Sequence, residues 1–461
     1  MEEFIRQGDI VLLFDNYSVD SQNLQKSFEI ADVSCAPAVI EDDGFLPEGV
    51  LSIYSYFLGE FNHHEGIPGK PRYFNEINVP DYWEISGTNA NGKVQDLYRE
   101  RGRIYYAEPK HKRLVKVVDW LDERGKVRSC DHYNKYGALY ARTIFNAKEQ
   151  KVNKSYFSAD GKEVLVENYV THDIILNDGD TIRFFHSKVE FIQYVLRAAG
   201  FRDNRIFFNS LSTSFFTSEA LQSKEKRDIL FWQEPIYGEI PGNMQVILQG
   251  HSSRTGQVMV QKRDSYDKLI ALGANQDIVH RLGYIYPFEK ENLHRPEALI
   301  CTNSEQVEHC HKIVKAMRNV HFHIAALTEM SSKLMLVGAY DNVSLYPGVK
   351  MSTLEDLFDQ CDYYLDINRE SEIVSAVRTA FLHNQLIFAF KETLHNQDCV
   401  AEEHIYILEE SDKLIADMKH VVVDEKVMKE HLILQHKAAM SEEKESYQLL
   451  SKRFTERNKA L

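Results

Sequence analysis

The stretch Asp366-Ile367-Asn368-Arg369-Glu370-Ser371-Glu372-Ile373-Val374-Ser375-Ala376-Val377-Arg378-Thr379-Ala380-Phe381, followed shortly by Gln385-Leu386-Ile387-Phe388-Ala389-Phe390, decides the fold of this chain. An apolar run ends at Asp366, a polar loop follows, apolar positions then return at helical spacing, and a second apolar run closes the unit. Two buried strands joined through a helix must lie parallel, because a tight hairpin cannot make that connection. The same alternation extends outward, with strands expected at 298–301, 322–325, 343–346, 363–366 and 386–389, each followed by a helical stretch. The spacing predicts a parallel sheet with both faces covered, beginning near residue 291. Beyond it, residues 425–458 read as helix, rich in Glu and Lys and without a glycine or proline.

Toward the N-terminus the texture changes twice. Residues 1 to about 60 hold an apolar strand at 10–14, a polar helical stretch and a turn-rich segment at 41–49, the start of an α/β domain that is then interrupted. From 68 to 185 the period becomes two, with β-branched and aromatic runs at 82–86, 103–107, 114–120, 140–145 and 163–166. Asn91-Gly92, Glu123-Arg124-Gly125, Asp160-Gly161 and Asp178-Gly179 supply hairpin turns, so a meander of about eight antiparallel strands is expected. Aromatics fall on both faces of several strands, as at Tyr105-Tyr106, so the second face should pack on a partner protein or on a neighbouring domain of the same chain. From 186 the alternation of helix and strand resumes, with a helix at 189–197 and strands at 205–208, 228–232, 244–248 and 257–260 that complete the interrupted domain. Two parallel-sheet domains in one chain leave a cleft that the carboxyl ends of both sets of strands can face.

Composition narrows the function. At 461 residues, 43% hydrophobic and 27% charged, the chain has the make-up of a globular protein of roughly three domain-sized units. A net charge of −15 argues against gripping nucleic acid or adhering broadly to an anionic membrane surface. Lys110-His111-Lys112-Arg113 with Lys116 is a local exception, most simply a solvated strand edge. The N-terminal Met1-Glu2-Glu3-Phe4-Ile5-Arg6-Gln7-Gly8-Asp9 carries acids where a signal peptide needs a basic start. No apolar run approaches the length of a membrane span, and six scattered cysteines without a CxxC pair suit a reducing cytosol, so a cytoplasmic location is expected.

Candidate sites are few. His309-Cys310-His311, with His321 and His323, invites a metal, but consecutive helical residues diverge by about 100° and cannot converge on one ion; no metal site is expected. Asp42, Asp43 and Glu48 could act as acid and base, yet an acidic turn around Gly44 and Gly49 is the simpler account. The first strand is followed by Asn16-Tyr17-Ser18-Val19-Asp20, not by a Gly-rich phosphate loop. Trp232, Gln233 and Glu234 directly follow a buried strand and should lie at the cleft mouth. With Asn243, Arg254, Asn303 and Asn368, and with Glu372 beside them, they form an acceptor-binding set. It suits an extended Ser/Thr-rich polypeptide or its attached sugars better than a nucleotide.

Two such domains with a late helical tail resemble the GT-B glycosyltransferase architecture. The runs Asp42-Asp43-Gly44-Phe45-Leu46-Pro47-Glu48-Gly49-Val50, Asp131-His132-Tyr133-Asn134-Lys135-Tyr136-Gly137, Arg227-Asp228-Ile229-Leu230-Phe231-Trp232-Gln233-Glu234 and Pro241-Gly242-Asn243-Met244-Gln245 sharpen the likeness. They are similar to the GtfB family, stabilising and substrate-binding subunits of the two-component transferase that puts N-acetylglucosamine on serine-rich-repeat adhesins in the accessory Sec pathway. The resemblance implies an α/β, GT-B-like fold: residues 1–60 and 186–290 as Rossmann-like domain I, 61–185 as an inserted antiparallel β-sheet domain, 291–425 as Rossmann-like domain II and 426–461 as C-terminal helices. It also implies a heteromeric complex with the catalytic subunit GtfA, a serine-rich-repeat polypeptide as substrate, no cofactor, and a place in the cytoplasm that can include the inner face of the membrane. In the catalytic relative an Arg and a Lys hold the donor diphosphate, and two glutamates flanking seven residues hold the sugar and ribose. Aligned on the strand at 386–389, the glutamate positions fall at Ser371 and Thr379, the Arg position near Asn303 or Ser304, and the Lys position near Glu308 or His309. Glu370 or Glu372 could restore one carboxylate, but Val377, Arg378, Thr379 and Ala380 offer no second. A diphosphate needs cationic or N–H partners, so a catalytically silent subunit with no catalytic residue is expected; the alternative is an active retaining GT-B transferase using a UDP-sugar.

Overall fold

The computed structural model describes residues 10–62, 66–179, 181–221 and 226–457, with side chains to residue 450. The acidic N-terminal run read at 1–9 lies outside the described residues. The chain divides into two compact units, Met1–Met259 with Leu272–His280, and Val260–Ala271 with Arg281–Leu461.

In the first unit, strand Ile10–Asn16 pairs in parallel with Cys35–Glu41 on one side and Arg205–Phe208 on the other, so Leu12 stands between Pro37 and Phe207. Strands nearly two hundred residues apart thus share one sheet, which is the interruption expected from the sequence. The sheet continues through Asp228–Trp232, Thr255–Val260 and Val279–Arg281 on one flank and ends at Leu51–Ser52 on the other. Phe28, from the helix Val19–Ile30, meets Phe207 at 6.0 Å and Phe231 at 5.8 Å between ring centroids, an aromatic knot that fixes the helix on the sheet.

The insertion is an antiparallel meander of ten strands, from Glu84–Gly87 to Thr181–Phe185, each paired with its neighbour in sequence. Eight were expected. Asn91 and Gly92 account for one miss: they lie inside strand Asn91–Asp96, Gly92 opposite both Gly87 and Ile104, because the turn falls three residues earlier. One face buries Val94, Ile104, Tyr106, Val115 and Val118. Part of the other packs on the α/β scaffold of the same unit. Tyr54 stacks on Tyr156 at 5.1 Å, Lys188 bridges Glu41 and Glu167 at 2.9 and 2.8 Å, and the Tyr140 hydroxyl donates to the Asp42 carbonyl at 3.1 Å. Gly44 sits there with φ +84°, and a Cβ on it would come within 2.7 Å of the Tyr133 carbonyl, so the turn admits only glycine. Other aromatics stay in solvent, among them Tyr98 and, on the last strand, Phe184, with the exposed Ile182 near it.

In the second unit six parallel strands run in the order Val343–Tyr346, His321–Ala325, Glu297–Cys301, Tyr363–Asp366, Leu386–Phe390, Ile405–Tyr406. The sixth, two residues long, carries too short a pattern to be read from sequence. Helix Glu425–Ala438 docks through the Gln435 amide, which accepts from the Ile387 N–H and donates to the Gln385 carbonyl, both at 2.9 Å.

Two further expectations are overturned. Residues 244–248 form part of a helix, Gly242–Leu248, not a strand; Pro241 opens it, and Met244 and Ile247 bury at helical spacing. The helix expected over 425–458 is two, Glu425–Ala438 and Lys444–Arg457. Met440 breaks them with φ +53° although no glycine or proline is present. Tertiary contact compensates, since Tyr284 N–H donates to the Met440 carbonyl and Glu442 N–H to the Tyr284 carbonyl. No helix among the described residues is long and apolar enough to cross a membrane, and the six cysteines are free thiols, five of them buried.

Candidate functional sites at the carboxyl ends of two sheets

In the second unit the loop after Tyr363–Asp366 is closed by its own side chains. The buried Asp366 carboxylate accepts from the His395 N–H at 2.8 Å and from its Nδ1 at 2.6 Å, while His395 Nε2 lies 2.7 Å from the Glu370 carbonyl. Both ring nitrogens face acceptors, so the ring is held as an imidazolium, and the bond to Asp366 lifts its pKa to about 9. Asn368, also buried, accepts from the Thr302 hydroxyl at 2.8 Å and donates to the Glu370 carbonyl at 2.7 Å, tying together the ends of two strands. Glu372 accepts the Val377 N–H at 2.8 Å and so caps helix Ala376–Leu382; burial pushes its carboxyl above the usual range. Just before that helix Val374 and Ser375 take left-handed φ of 45° and 52°, a conformation a β-branched residue adopts only when its surroundings impose it.

The positions aligned with donor-binding groups carry no donor chemistry. Ser371 is exposed, the Thr379 hydroxyl turns back to the Ser375 carbonyl at 3.1 Å, Asn303 is exposed, and Glu308 is paired with Arg369 at 2.6 Å. His309 and His311 diverge, one ring against Phe390 and the other against Tyr340. No group of His, Cys, Asp and Glu among the described residues could hold a metal.

In the first unit the residues expected at the sheet end separate into four placements. Trp232 closes its strand and, with Glu234, lines a cavity of about 430 Å³ whose other walls include Tyr237, Glu239 and Pro241. Asn243 ties helix Gly242–Leu248 to the facing loop through the Leu211 carbonyl at 2.9 Å. Gln233 turns inward, accepting from Asn209 at 2.7 Å and donating to the Asp20 carbonyl at 3.1 Å. Arg254 is not at this end at all. It is buried at the amino end of the strand, in a two-point ion pair with Asp228 at 2.7 and 3.0 Å. Sequence order places Arg254 near Trp232, but Asp228 and Trp232 are opposite ends of one strand, about 13 Å apart.

The sequence reading passed over Tyr237 and Glu239, whose signal is a turn-rich Tyr-Gly-Glu following a buried strand. A second cavity, of about 460 Å³, lies beside Asp42, Glu48, Lys135 and Tyr136. Asp42 there already accepts from the Gly44 N–H and the Ser55 hydroxyl, and Asp43 pairs with Lys116, as an acidic turn would.

Family profiles match the chain in order: a GtfB N-terminal domain over 11–57, a GtfB middle domain over 83–186, a GtfB third domain over 188–272 and a GftB/GlyA-F C-terminal domain over 298–435. A UDP-N-acetylglucosamine--peptide N-acetylglucosaminyltransferase stabilizing protein GtfB from Streptococcus agalactiae is 42% identical, over 89% of this chain and 92% of that protein. Its namesake from Streptococcus gordonii is also 42% identical, over 86% and 88%. A chain in the crystal structure of the GtfA/B complex bound to UDP and GlcNAc superimposes with a TM-score of 0.88 at 39% identity, covering 95% of this chain and 98% of that one. With its two parallel-sheet domains, its inserted antiparallel sheet and this similarity along nearly its whole length, the chain belongs to the GtfB family of glycosyltransferase-stabilizing proteins and has a GT-B-like α/β fold.

Proposed function

We propose that this chain is a catalytically silent subunit that stabilises a GtfA-type catalytic subunit and holds the acceptor polypeptide for it. The observation that carries the reading is the closed loop of the second unit. Where a sugar-nucleotide donor would need cations and paired carboxylates, Asp366, Asn368 and Glu372 are spent on His395, Thr302 and the Val377 N–H. The acceptor is a serine-rich-repeat polypeptide modified with N-acetylglucosamine before accessory Sec export, in the cytoplasm or at the inner face of its membrane. The GtfA/B complex to which the chain is similar supports a partner of that type. In this reading residues 61–185 are the insertion, 1–60 with 186–290 and 291–425 the two Rossmann-like domains, and 426–461 the terminal helices. Acceptor contacts fall to Trp232, Glu234, Asn243 and Asn303; Gln233, Arg254, Asn368 and Glu372 hold the scaffold. Calorimetry of the isolated chain with UDP-N-acetylglucosamine tests silence: no binding heat is expected, and tight binding with slow hydrolysis would favour the active transferase instead. Co-expression with a GtfA-type subunit should yield a stable complex; two separate proteins on size exclusion would sink the stabilising role.

A further inference from the structure

Two of the sequence runs that carry the family likeness, 42–50 and 131–137, line the second cavity, of about 460 Å³, between the loop that follows Cys35–Glu41 and a turn of the insertion. Asn134 lines it and is only 6% exposed. Its Oδ1 accepts from the Tyr136 N–H at 3.1 Å and from the Ala138 N–H at 3.0 Å, an Asx turn that fixes which way the amide points. The Nδ2 protons are left on the side turned to the cavity and meet no acceptor among the described residues. A buried amide held in this way calls for an oxygen acceptor from outside the fold.

The charges around it have a sign. Asp42, Glu48 and Glu60 line the cavity against one cation, Lys135, whose ammonium donates to the Leu46 carbonyl at 2.7 Å and lies over the Tyr136 ring. An acidic visitor is repelled there and a basic one attracted. Glu48 and Glu60 are exposed, within reach of a long cationic side chain, and Phe61 and Tyr136 give its aliphatic stem an apolar surface. Gly49 and Gly59 also line the cavity, and a Cβ on either would meet nothing, so another backbone can pass close over both. A polypeptide combines a backbone carbonyl, a thin main chain and a basic side chain in one molecule. We infer that this cavity is a docking site for an extended segment of a partner protein, with a backbone carbonyl on Asn134 Nδ2 and a lysine or arginine side chain directed to Glu48 and Glu60. The site is separate from the acceptor contacts at Trp232 and stands whether or not those hold acceptor.

The probes are capped pentapeptides of glycine and serine with lysine, glutamate or serine at the centre, added to the full-length protein. The lysine peptide is expected to shift the Asn134 side-chain amide resonance, which is identified by its loss in Asn134→Asp. The serine peptide should need about tenfold higher concentration, and the glutamate peptide should leave the resonance in place. Asn134→Asp keeps the oxygen that accepts from Tyr136 and Ala138, so the turn should survive, but it replaces the N–H donors with a negative charge. If the cavity merely attracts cations, this variant binds dye-labelled lysine peptide more tightly; if the amide reads a carbonyl, fluorescence anisotropy should show binding about tenfold weaker. Glu48→Gln with Glu60→Gln, both at exposed positions, should bring the lysine peptide level with the serine peptide. No response to the lysine peptide, an equal response to the glutamate peptide, or tighter binding by Asn134→Asp overturns the assignment. A serine peptide as effective as the lysine peptide also overturns it, giving the cavity to the Ser/Thr-rich acceptor and leaving the acceptor-binding reading intact.

Discussion

At the carboxyl end of the first parallel sheet, Trp232, which lines an open cavity, leaves its indole N–H without a partner, and the buried Asn209 leaves its amide oxygen so. At the carboxyl end of the second, Asp366, Asn368 and Glu372 are all partnered within the chain, and His395 supplies the positive charge. In GT-B-like folds both ends are places where ligands bind, since strand ends and loop amides converge there. One end here thus keeps polar groups without partners, and the other spends its own on itself. The amino ends differ less. Each sheet starts a strand beside a buried aspartate held by basic side chains, Asp228 by Arg254 and Asp362 by Lys290 and Arg295. Even these are not equal: burial keeps the Asp228 carboxyl above the usual range despite Arg254, whereas two cations overcome burial at Asp362 and hold it below.

The largest expected effect tests whether the amino ends are pure scaffold. Arg254→Ala strands a buried carboxylate and should cost about 3–5 kcal/mol in urea unfolding. Arg295→Ala, which leaves Lys290 on Asp362, should cost about half as much. Neither should alter ligand binding by protein that remains folded; a binding loss at full stability in Arg254→Ala would return that residue to the site.

Next in size is the self-closed end. Asn368→Ala removes a buried amide with its bonds to Thr302 and Glu370, while the Thr302 hydroxyl keeps the Ser304 carbonyl, so about 2 kcal/mol should be lost. A neutral result would mean that the loop does not depend on these ties and is free to open for a donor.

These two variants also mark where the sequence ran out. Strands 205–208, 228–232, 343–346 and 363–366 were legible because four- or five-residue apolar runs bounded by polar loops have one reading in an alternating α/β chain. The run at 244–248 was not, since five apolar-rich residues fit helix and strand alike and only the position of Pro241 favours helix. The break at Met440 was invisible because it depends on Tyr284, far away in sequence. At the site, sequence order could name Trp232 and Glu234 but could not show that Gln233, between them, turns inward, or that Arg254 belongs to the opposite end of the strand. Polar residues near a strand end look alike in sequence; what separates a tie from a contact is a partner tens of residues away.

A smaller effect follows from the imidazolium of the closed end. The pKa of His395 is about 9 in the folded chain, against about 6.5 unfolded. Because the folded value is raised, the stabilisation is complete below about pH 6.5 and is lost as pH climbs through 9. Between pH 6.5 and 9.5 the native chain should lose about 1 kcal/mol more than His395→Gln. On the acid side the sign reverses for His404 of the same unit, which burial holds at a pKa of about 3. Its contribution is present above about pH 6.5 and falls as pH drops toward 3. His404→Phe should therefore flatten the acid limb and leave the alkaline limb alone. Parallel curves for both variants would remove titration as the source.

The smallest expected effect is the most informative about the contrast. Trp232→Phe removes part of a buried ring, which costs packing, and also removes a donor that has no acceptor, which relieves a penalty of about 1–3 kcal/mol. The two nearly offset, so unfolding free energy should move by no more than about 1 kcal/mol, against about 2 for Asn368→Ala. The asymmetry arises because deleting an unpartnered group breaks nothing, whereas deleting Asn368 breaks two hydrogen bonds. A cost of 3 kcal/mol or more for Trp232→Phe would show that the indole N–H has an acceptor in solution. The first sheet end would then be as self-contained as the second, and the cavity beside it would have lost its claim on a ligand.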